Sequence, residues 1–153
     1  MANTYTQINM HVIFAVSDRK SLITNNIETQ LYGFLCAICK KKNHFIHAIG
    51  GTKDHIHMLI GMHPSESVSN LIQSLKCQSS KWLNDYYFKG RFRWQSGYAA
   101  FSYSKSMIPI VKRYVENQKE HHRRKTFNEE IIEILEKAGI DYHHDFLMKG
   151  IDE

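Results

Sequence analysis

The amino-acid sequence predicts an α+β fold in which helices pack on an antiparallel sheet with a split βαβ arrangement. Segments with strand character and segments with helical periodicity follow one another as strand, helix, strand, strand, helix, strand, helix. A glycine-containing connection also joins the second and third strands as a hairpin. The 153 residues, 42% of them hydrophobic, suffice for one packed domain spanning residues 1–153 and exclude global disorder.

The first half of the chain supplies three strands and one helix. Residues 8–16 are rich in strand formers and predict a largely buried strand. Apolar residues at helical spacing predict an amphipathic helix over 27–42, which ends in lysines and an asparagine that suit a helix C-terminus. Residues 44–49 and 55–62 predict two short strands, joined by the hairpin connection at 50–54.

The middle of the chain supplies the second helix and the fourth strand. After a break at Pro64, apolar spacing predicts a helix over 67–86. Two short extended pieces then follow at 92–94 and 98–102.

The C-terminal part of the chain is predicted to be helical. A long helix is expected to begin near Ser104 and to continue past Gln118. A helical pattern over 128–138 ends at Gly139, a residue suited to the left-handed conformation after a helix. We assign residues 128–153 to a C-terminal helical tail of the same domain.

Composition excludes some classes of protein and leaves others open. Lysine and arginine exceed aspartate and glutamate by 20 − 15 = 5, which is compatible with nucleic-acid binding but does not establish it. No stretch approaches the roughly 20 apolar residues of a membrane span, and the N-terminus has no signal-peptide pattern, so we predict a cytoplasmic protein without a membrane partner. Three cysteines, Cys36, Cys39 and Cys77, lie in predicted helices without zinc-finger spacing.

A pair of histidines lies in the third predicted strand. Because strand side chains alternate, His55 and His57 project from one face while Ile56 points to the other. Two neighbouring imidazoles form half of a site for a divalent metal. Asp54 is expected to face away from His55 and to stabilise the hairpin turn. The alternative is that both histidines are ordinary half-buried strand residues.

Tyr114 and Gln118 are four residues apart in the predicted long helix and are therefore neighbours on one face, about 6 Å apart at Cβ. A phenol with a pKa near 10 is a weak nucleophile, so a catalytic tyrosine requires a cation near the group it attacks. A metal bound to Gln118 would lie within reach of Tyr114. The alternative is that Tyr114 packs in the core and Gln118 is solvated.

Four segments together resemble a known family. They are KDHIHML at 53–59, WQSGYAAFS at 94–102, YVENQ at 114–118 and GIDY at 139–142. This set is similar to the single-tyrosine HUH transposases of the insertion-sequence-200/605 type, in the branch related to REP-associated tyrosine transposases. The resemblance covers the chain from the first strand to about Tyr142.

The resemblance implies a metal-dependent enzyme acting on single-stranded DNA. His55, His57 and Gln118 would hold Mg²⁺ or Mn²⁺, and Tyr114 would attack the DNA to form a 5′-phosphotyrosine bond and a free 3′-hydroxyl. Reversal of this step by another 3′-hydroxyl would rejoin the strand, which amounts to DNA transposition. The resemblance also implies a ferredoxin-like fold, a homodimer and DNA hairpins as recognition elements, with Tyr114 acting in cis or in trans.

Several cations are candidates for DNA contacts. They are Lys112 and Arg113 beside Tyr114, Arg123, Arg124 and Lys125 further along, and Arg91 and Arg93 between aromatic residues. A pattern of cations interleaved with aromatic residues suits backbone contacts with base stacking, although the aromatic residues could equally pack in the core.

The sequence is also compatible with two other functions. A non-catalytic or domesticated DNA-hairpin-binding protein would keep the same fold. A nucleotide hydrolase with an H-x-H-x-H pattern would need a third histidine where this chain has Leu59.

Overall fold

The computed structural model describes residues 3–143 and contains a four-stranded antiparallel sheet with the strand order β2-β3-β1-β4. The strands are β1 (Asn9–Ala15), β2 (Phe45–Gly51), β3 (His55–Gly61) and β4 (Ala99–Ser102). β1 and β3 are the two central strands. The connection from β1 to β2 therefore crosses over β3, and the connection from β3 to β4 crosses over β1. This arrangement confirms the predicted ferredoxin-like α+β fold.

Five α-helices accompany the sheet in residues 3–143. They are α1 (Asn25–Lys41), α2 (Val68–Leu83), α3 (Ile108–Glu116), α4 (Gln118–His121) and α5 (Phe127–Ala138). Gly139 follows α5 with a φ of 68°, which confirms the predicted end of that helix. Residues 144–153 of the predicted tail lie outside the described residues. No helix within 3–143 is long and apolar enough to cross a membrane.

The two faces of the sheet carry different helices. On one face, Val12, Phe14, Ile56 and other side chains form the main core with α1 and α2. The opposite face is covered by α3 and α5. The register of β1 and β3 pairs Ile13 with His57 and Ala15 with His55, so both histidines lie on this second face.

Helix α3 lies unusually close to β2 at Gly50. A Cβ atom added to Gly50 would lie 2.1 Å from the carbonyl oxygen of Val115, which no side chain permits. Val111 and Val115 pack on Ala48 and Leu59 beside this contact. Glycine therefore allows the backbone of α3 to approach the strands, and the adjacent Tyr114 is held above the sheet.

The predicted long helix near Ser104 is divided in the structure. It begins as a short 3₁₀ segment at Lys105–Met107, and a break at Asn117 (φ −101°, ψ 25°) separates α3 from α4. Asparagine has a low helix propensity because its amide competes for backbone hydrogen bonds, which makes a break there inexpensive.

The predicted helix over 67–86 also changes character before its end. The α-helix stops at Leu83 and continues as a π-helical turn over Asn84–Phe88. The Asn84 side chain accepts a hydrogen bond from the Phe92 amide at 2.8 Å and donates one to the Phe92 carbonyl at 3.1 Å. Of the extended piece at 92–94, only Trp94 pairs with the sheet, through a bridge to Val16.

Candidate active site

His55 and His57 are buried side by side on the helix-covered second face, at 1% and 0% exposure. Ile56 between them lies in the main core on the other face. The predicted alternation of side chains is therefore confirmed. The two imidazole rings lie 5.2 Å apart between their centroids, which is close enough for both to contact one atom or ion.

Asp54 orients the imidazole of His55. Nδ1 of His55 lies 2.6 Å from Oδ1 of Asp54, and the hydroxyl of Thr52 donates to the same oxygen at 2.9 Å. The prediction that Asp54 faces away from His55 is wrong, because this residue lies in the hairpin turn, where strand alternation does not apply. The hydrogen bond from His55 holds the pKa of Asp54 below its usual range even though burial raises it. A proton held on Nδ1 leaves the lone pair of Nε2 facing into the site.

His57 has a comparable partner in His11 of β1. Nε2 of His11 lies 2.8 Å from Nδ1 of His57, and the two rings are stacked. Burial lowers the pKa of His57 to about 4 and that of His11 to about 3, so both imidazoles are neutral at neutral pH. Nε2 of His57 is directed away from His11 and towards the same pocket as Nε2 of His55.

Tyr114 and Gln118 reach this pocket from α3 and α4. The ring of Tyr114 lies 5.8 Å from that of His57 between centroids, and Oε1 of Gln118 lies 3.4 Å from Nε2 of His55. Gln118 is completely buried, which rules out the alternative of a solvated side chain. The structure thus brings together all four residues singled out in the sequence, Tyr114, His55, His57 and Gln118.

His55 and Gln118 face each other in an arrangement that suits a bound cation. Nε2 of Gln118 donates to the carbonyl of Tyr114 at 3.3 Å, which directs the amide oxygen towards His55. If Nδ1 of His55 carries the proton for Asp54, two lone pairs face each other across 3.4 Å without a hydrogen between them. A cation between these atoms would satisfy both.

Glu130 of α5 is a residue of the site that the sequence analysis missed. Its carboxylate is 1% exposed, and Oε1 accepts hydrogen bonds from Nε2 of His57 and of His122, each at 3.1 Å. Oε2 accepts a hydrogen bond from the hydroxyl of Tyr114. Burial alone would raise the pKa of Glu130, but the hydrogen bonds from His122 and His57 hold it well below the usual range.

The pKa of Tyr114 shifts in the opposite direction to that of Glu130. Burial first, and then the negative charge of Glu130, raise the pKa of its hydroxyl well above the ordinary value. The free protein therefore holds Tyr114 as a neutral phenol.

Four side chains could together hold a metal ion, namely His55, His57, His122 and Glu130. One ligand atom of each lies within 4.8 Å of all the others, and three of the four residues are buried. Imidazole nitrogen with carboxylate and amide oxygen is a donor set that suits divalent metals, so these residues fit the predicted ion. The sequence held one signal for Glu130: it is an acidic residue on the apolar side of α5, beside Phe127 and Ile131.

The candidate DNA contacts fall on different surfaces. Arg113 and Arg124 line a cleft with Tyr114, whereas Arg91 and Arg93 line a separate cleft near Lys20. Six of the seven candidate side chains are exposed. The seventh, Lys125, is half-buried and forms an ion pair with Glu133.

The aromatic residues next to Arg91 and Arg93 pack in the core. Phe92 and Trp94 are buried at 3% and 7% exposure, and their rings meet edge to face at 4.9 Å between centroids. Core packing is therefore their role, and they are not available to stack on bases.

Comparison with known proteins places the chain among transposases. Residues 4–118 match the family model described as "Transposase IS200 like". The transposase for insertion sequence element IS200 from Salmonella typhimurium is 30% identical over 129 residues, which cover 80% of this chain and 84% of the relative. The IS200 transposase from Salmonella typhi matches with the same values.

Two solved structures share the fold. A protein from Deinococcus radiodurans, described as a transposase, has a TM-score of 0.63 at 19% identity, over 77% of this chain and 95% of that chain. A REP-associated tyrosine transposase bound to a REP hairpin has a TM-score of 0.58 at 12% identity, over 75% of this chain and 68% of that chain.

Proposed function

The chain belongs to the family of IS200-like transposases, and from this membership we propose that it cleaves and rejoins single-stranded DNA with Tyr114 as the nucleophile. One observation carries the proposal. The hydroxyl of Tyr114 lies in the same buried pocket as the two histidines of the H-x-H motif and the amide of Gln118. A packed core tyrosine would have no reason to share a pocket with this set of metal-ligand atoms.

His55, His57 and Gln118 would hold Mg²⁺ or Mn²⁺. Asp54 and His11 fix the two imidazole rings so that each Nε2 faces the pocket, where an ion would displace the proton that Nε2 of His57 donates to Glu130. Such an ion, when bound, supplies positive charge to the phosphate under attack and orients it.

The proposed reaction exchanges one ester bond for another. The Tyr114 oxygen forms a bond to phosphorus, and the bond from phosphorus to the 3′-oxygen breaks. The phenol loses its proton, and the departing oxygen gains one to become a 3′-hydroxyl. The 5′-phosphotyrosine ester keeps the free energy of the phosphodiester, so attack by another 3′-hydroxyl rejoins the strand without ATP.

DNA hairpins are the proposed recognition element, and the cytoplasm is the proposed place of action. One structural neighbour is bound to a REP hairpin, which supports the same class of ligand here. The proposed phosphate contacts are Lys112, Arg113, Arg123, Arg124, Lys125, Arg91 and Arg93. We also propose a homodimer, and since Tyr114 reaches His57 of its own chain, this arrangement supports a site formed in cis.

The test is a covalent protein–DNA adduct on denaturing gels after incubation with single-stranded hairpin DNA and Mn²⁺. We expect the wild-type protein to form the adduct and Tyr114→Phe to lose it, because phenylalanine keeps the packing and removes the nucleophilic oxygen. Tyr103→Phe is the control, since Tyr103 is a half-buried tyrosine in the adjoining cleft and should leave the adduct in place.

Two results would count against the proposal in different ways. An adduct that persists in Tyr114→Phe would contradict the choice of nucleophile. Tight hairpin binding by the wild-type protein without any adduct would favour the alternative, a non-catalytic or domesticated DNA-hairpin-binding protein.

A further inference from the structure

We propose that Glu130 joins the metal ligands through one carboxylate oxygen and positions the Tyr114 hydroxyl through the other, so that helix α5 completes the site. The inference deepens the proposed function and rests on it for the role of Tyr114. Glu130 lies beyond residues 4–118, the part of the chain that matches the family model.

The hydrogen-bond distances around Oε1 of Glu130 also match those between ligands that share one ion. This oxygen lies 3.1 Å from Nε2 of His57, 3.1 Å from Nε2 of His122 and 3.7 Å from Nε2 of His55. Metal–ligand bonds are roughly 2.0–2.2 Å, so ligands around one ion lie about 3 Å or slightly more from one another. Small shifts of these side chains would therefore place all of them around a common centre.

The charge of Glu130 also lacks a permanent cationic partner. Its ion-pair partners within residues 3–143 are histidines, with no lysine or arginine among them. A buried carboxylate without a fixed cation is costly, and a divalent ion is the partner that would compensate it. Carboxylate oxygen is also a ligand that Mg²⁺ and Mn²⁺ favour.

The second oxygen of the same carboxylate faces the nucleophile. Oε2 accepts the hydrogen bond from the Tyr114 hydroxyl and lies 3.3 Å from Nε2 of His121. A single rigid group therefore spans the distance from the histidines to the phenol. Holding Oε1 on the ion would fix Oε2, and with it the place of the hydroxyl relative to the ion.

Helix α5 carries Glu130 on the side that packs against the sheet. Phe127 and Ile131 flank it and form a small core with Ile13, Ala15 and Phe101. Binding of a ligand to the folded state stabilises whatever structure supplies its contacts. Metal binding should accordingly stabilise α5 against local opening.

A competing explanation makes Glu130 a placeholder that occupies the pocket only until the ion arrives. The two explanations predict opposite effects of removing the charge. If Glu130 is a ligand, Glu130→Gln weakens metal binding. If it is a placeholder, the same change leaves metal binding unchanged or makes it tighter, because the ion no longer competes with the carboxylate.

The first experiment measures Mn²⁺ affinity of the full chain without DNA by isothermal titration calorimetry. We expect Glu130→Gln to bind Mn²⁺ about tenfold or more weakly. Glu133→Gln is the matched control, because Glu133 is on the same helix and pairs with Lys125 and Lys137 outside the pocket. Equal or tighter Mn²⁺ binding by Glu130→Gln would overturn the ligand assignment.

Hydrogen exchange of the wild-type protein keeps the test independent of any folding defect in the variant. Adding Mn²⁺ should slow exchange across 127–138, while α1 on the far face of the sheet should change little. An α5 whose exchange is the same with and without saturating Mn²⁺ would contradict the role of this helix.

Positioning of Tyr114 is tested separately at saturating Mn²⁺. We expect Glu130→Gln to form the covalent adduct about tenfold more slowly while its Kd for hairpin DNA stays unchanged. Full recovery of the rate at saturating Mn²⁺ would refute the positioning role. Failure of the proposed function would look different, since Mn²⁺ would still bind through Glu130 although no protein–DNA adduct formed in the wild-type protein.

Discussion

At the scale of single residues, Gly50 decides how near helix α3 can come to the sheet. A Cβ atom at this position would lie 2.1 Å from the carbonyl oxygen of Val115 and 3.1 Å from its carbonyl carbon. Both are backbone atoms, so the clash cannot be relieved by rotating a side chain. Relief would require α3 to move as a whole, and Tyr114 would move with it.

We expect Gly50→Ala to lower the free energy of unfolding by about 1–3 kcal/mol and to reduce adduct formation, because displaced α3 carries the nucleophile. Gly33→Ala is the control. Gly33 lies in α1 with no atom within 4 Å of an added Cβ, so alanine there should stabilise the protein by up to about 1 kcal/mol. Denaturant unfolding gives both values, and a Gly50→Ala variant as stable as the wild type would show that α3 is not held by this contact.

At the scale of elements, helix α5 combines a structural and a proposed functional role. Thr126 caps its first turn by accepting a hydrogen bond from the Glu129 amide, and Gly139 ends it. Phe127 and Ile131 are both 3% exposed and attach the helix to the sheet. The same side of the helix presents Glu130 to the histidines, so packing and placement of the carboxylate depend on each other.

We expect Ile131→Ala to weaken Mn²⁺ binding although Ile131 has no ligand atom. The truncation leaves a cavity under α5 and costs roughly 2–5 kcal/mol, which loosens the element that supplies Glu130. Ile140→Ala is the control, because Ile140 follows the helix and is 44% exposed. Calorimetric titration with Mn²⁺ measures the effect, and unchanged affinity in Ile131→Ala would mean that the packing of α5 does not support the site.

At the scale of the whole molecule, the positive charge is distributed over both faces, and only part of it lies near the nucleophile. Arg113 and Arg124 line the cleft that contains Tyr114. Lys40 and Lys41 lie at the end of α1, on the opposite face of the sheet. The net charge of +5 therefore attracts DNA in general, whereas the cations of the cleft would hold the strand at the site.

Replacing both Arg113 and Arg124 by glutamine should weaken hairpin binding and flatten its salt dependence. Each lost phosphate contact with a single strand removes about 0.7 from the slope of log K against log salt. A double variant with glutamine at Lys40 and Lys41 removes the same charge from the other face and should keep the wild-type slope. Titration of a fluorescent hairpin at several salt concentrations measures the slopes. Equal slopes in the two double variants would contradict the proposal that Arg113 and Arg124 hold the strand at the site.

The site divides into residues that the sequence could predict and residues that it could not. Strand periodicity correctly predicted that His55 and His57 share a face, and helix spacing placed Tyr114 near Gln118 despite the break at Asn117. Glu130 was not found because an acidic residue on a helix is normally solvated. Its role becomes visible only when α5 is known to pack on the face that carries the histidines.

The order of the site residues along the chain has a consequence for synthesis. β1, β3 and α3 are complete before residue 118 is translated, whereas the buried carboxylate on α5 comes from residue 130. Until α5 docks, the imidazoles would lie in a cleft that is open on the side of this helix. The pocket closes when α5 docks, so the proposed coupling of ion and nucleophile depends on a segment that is translated after all four strands and α3.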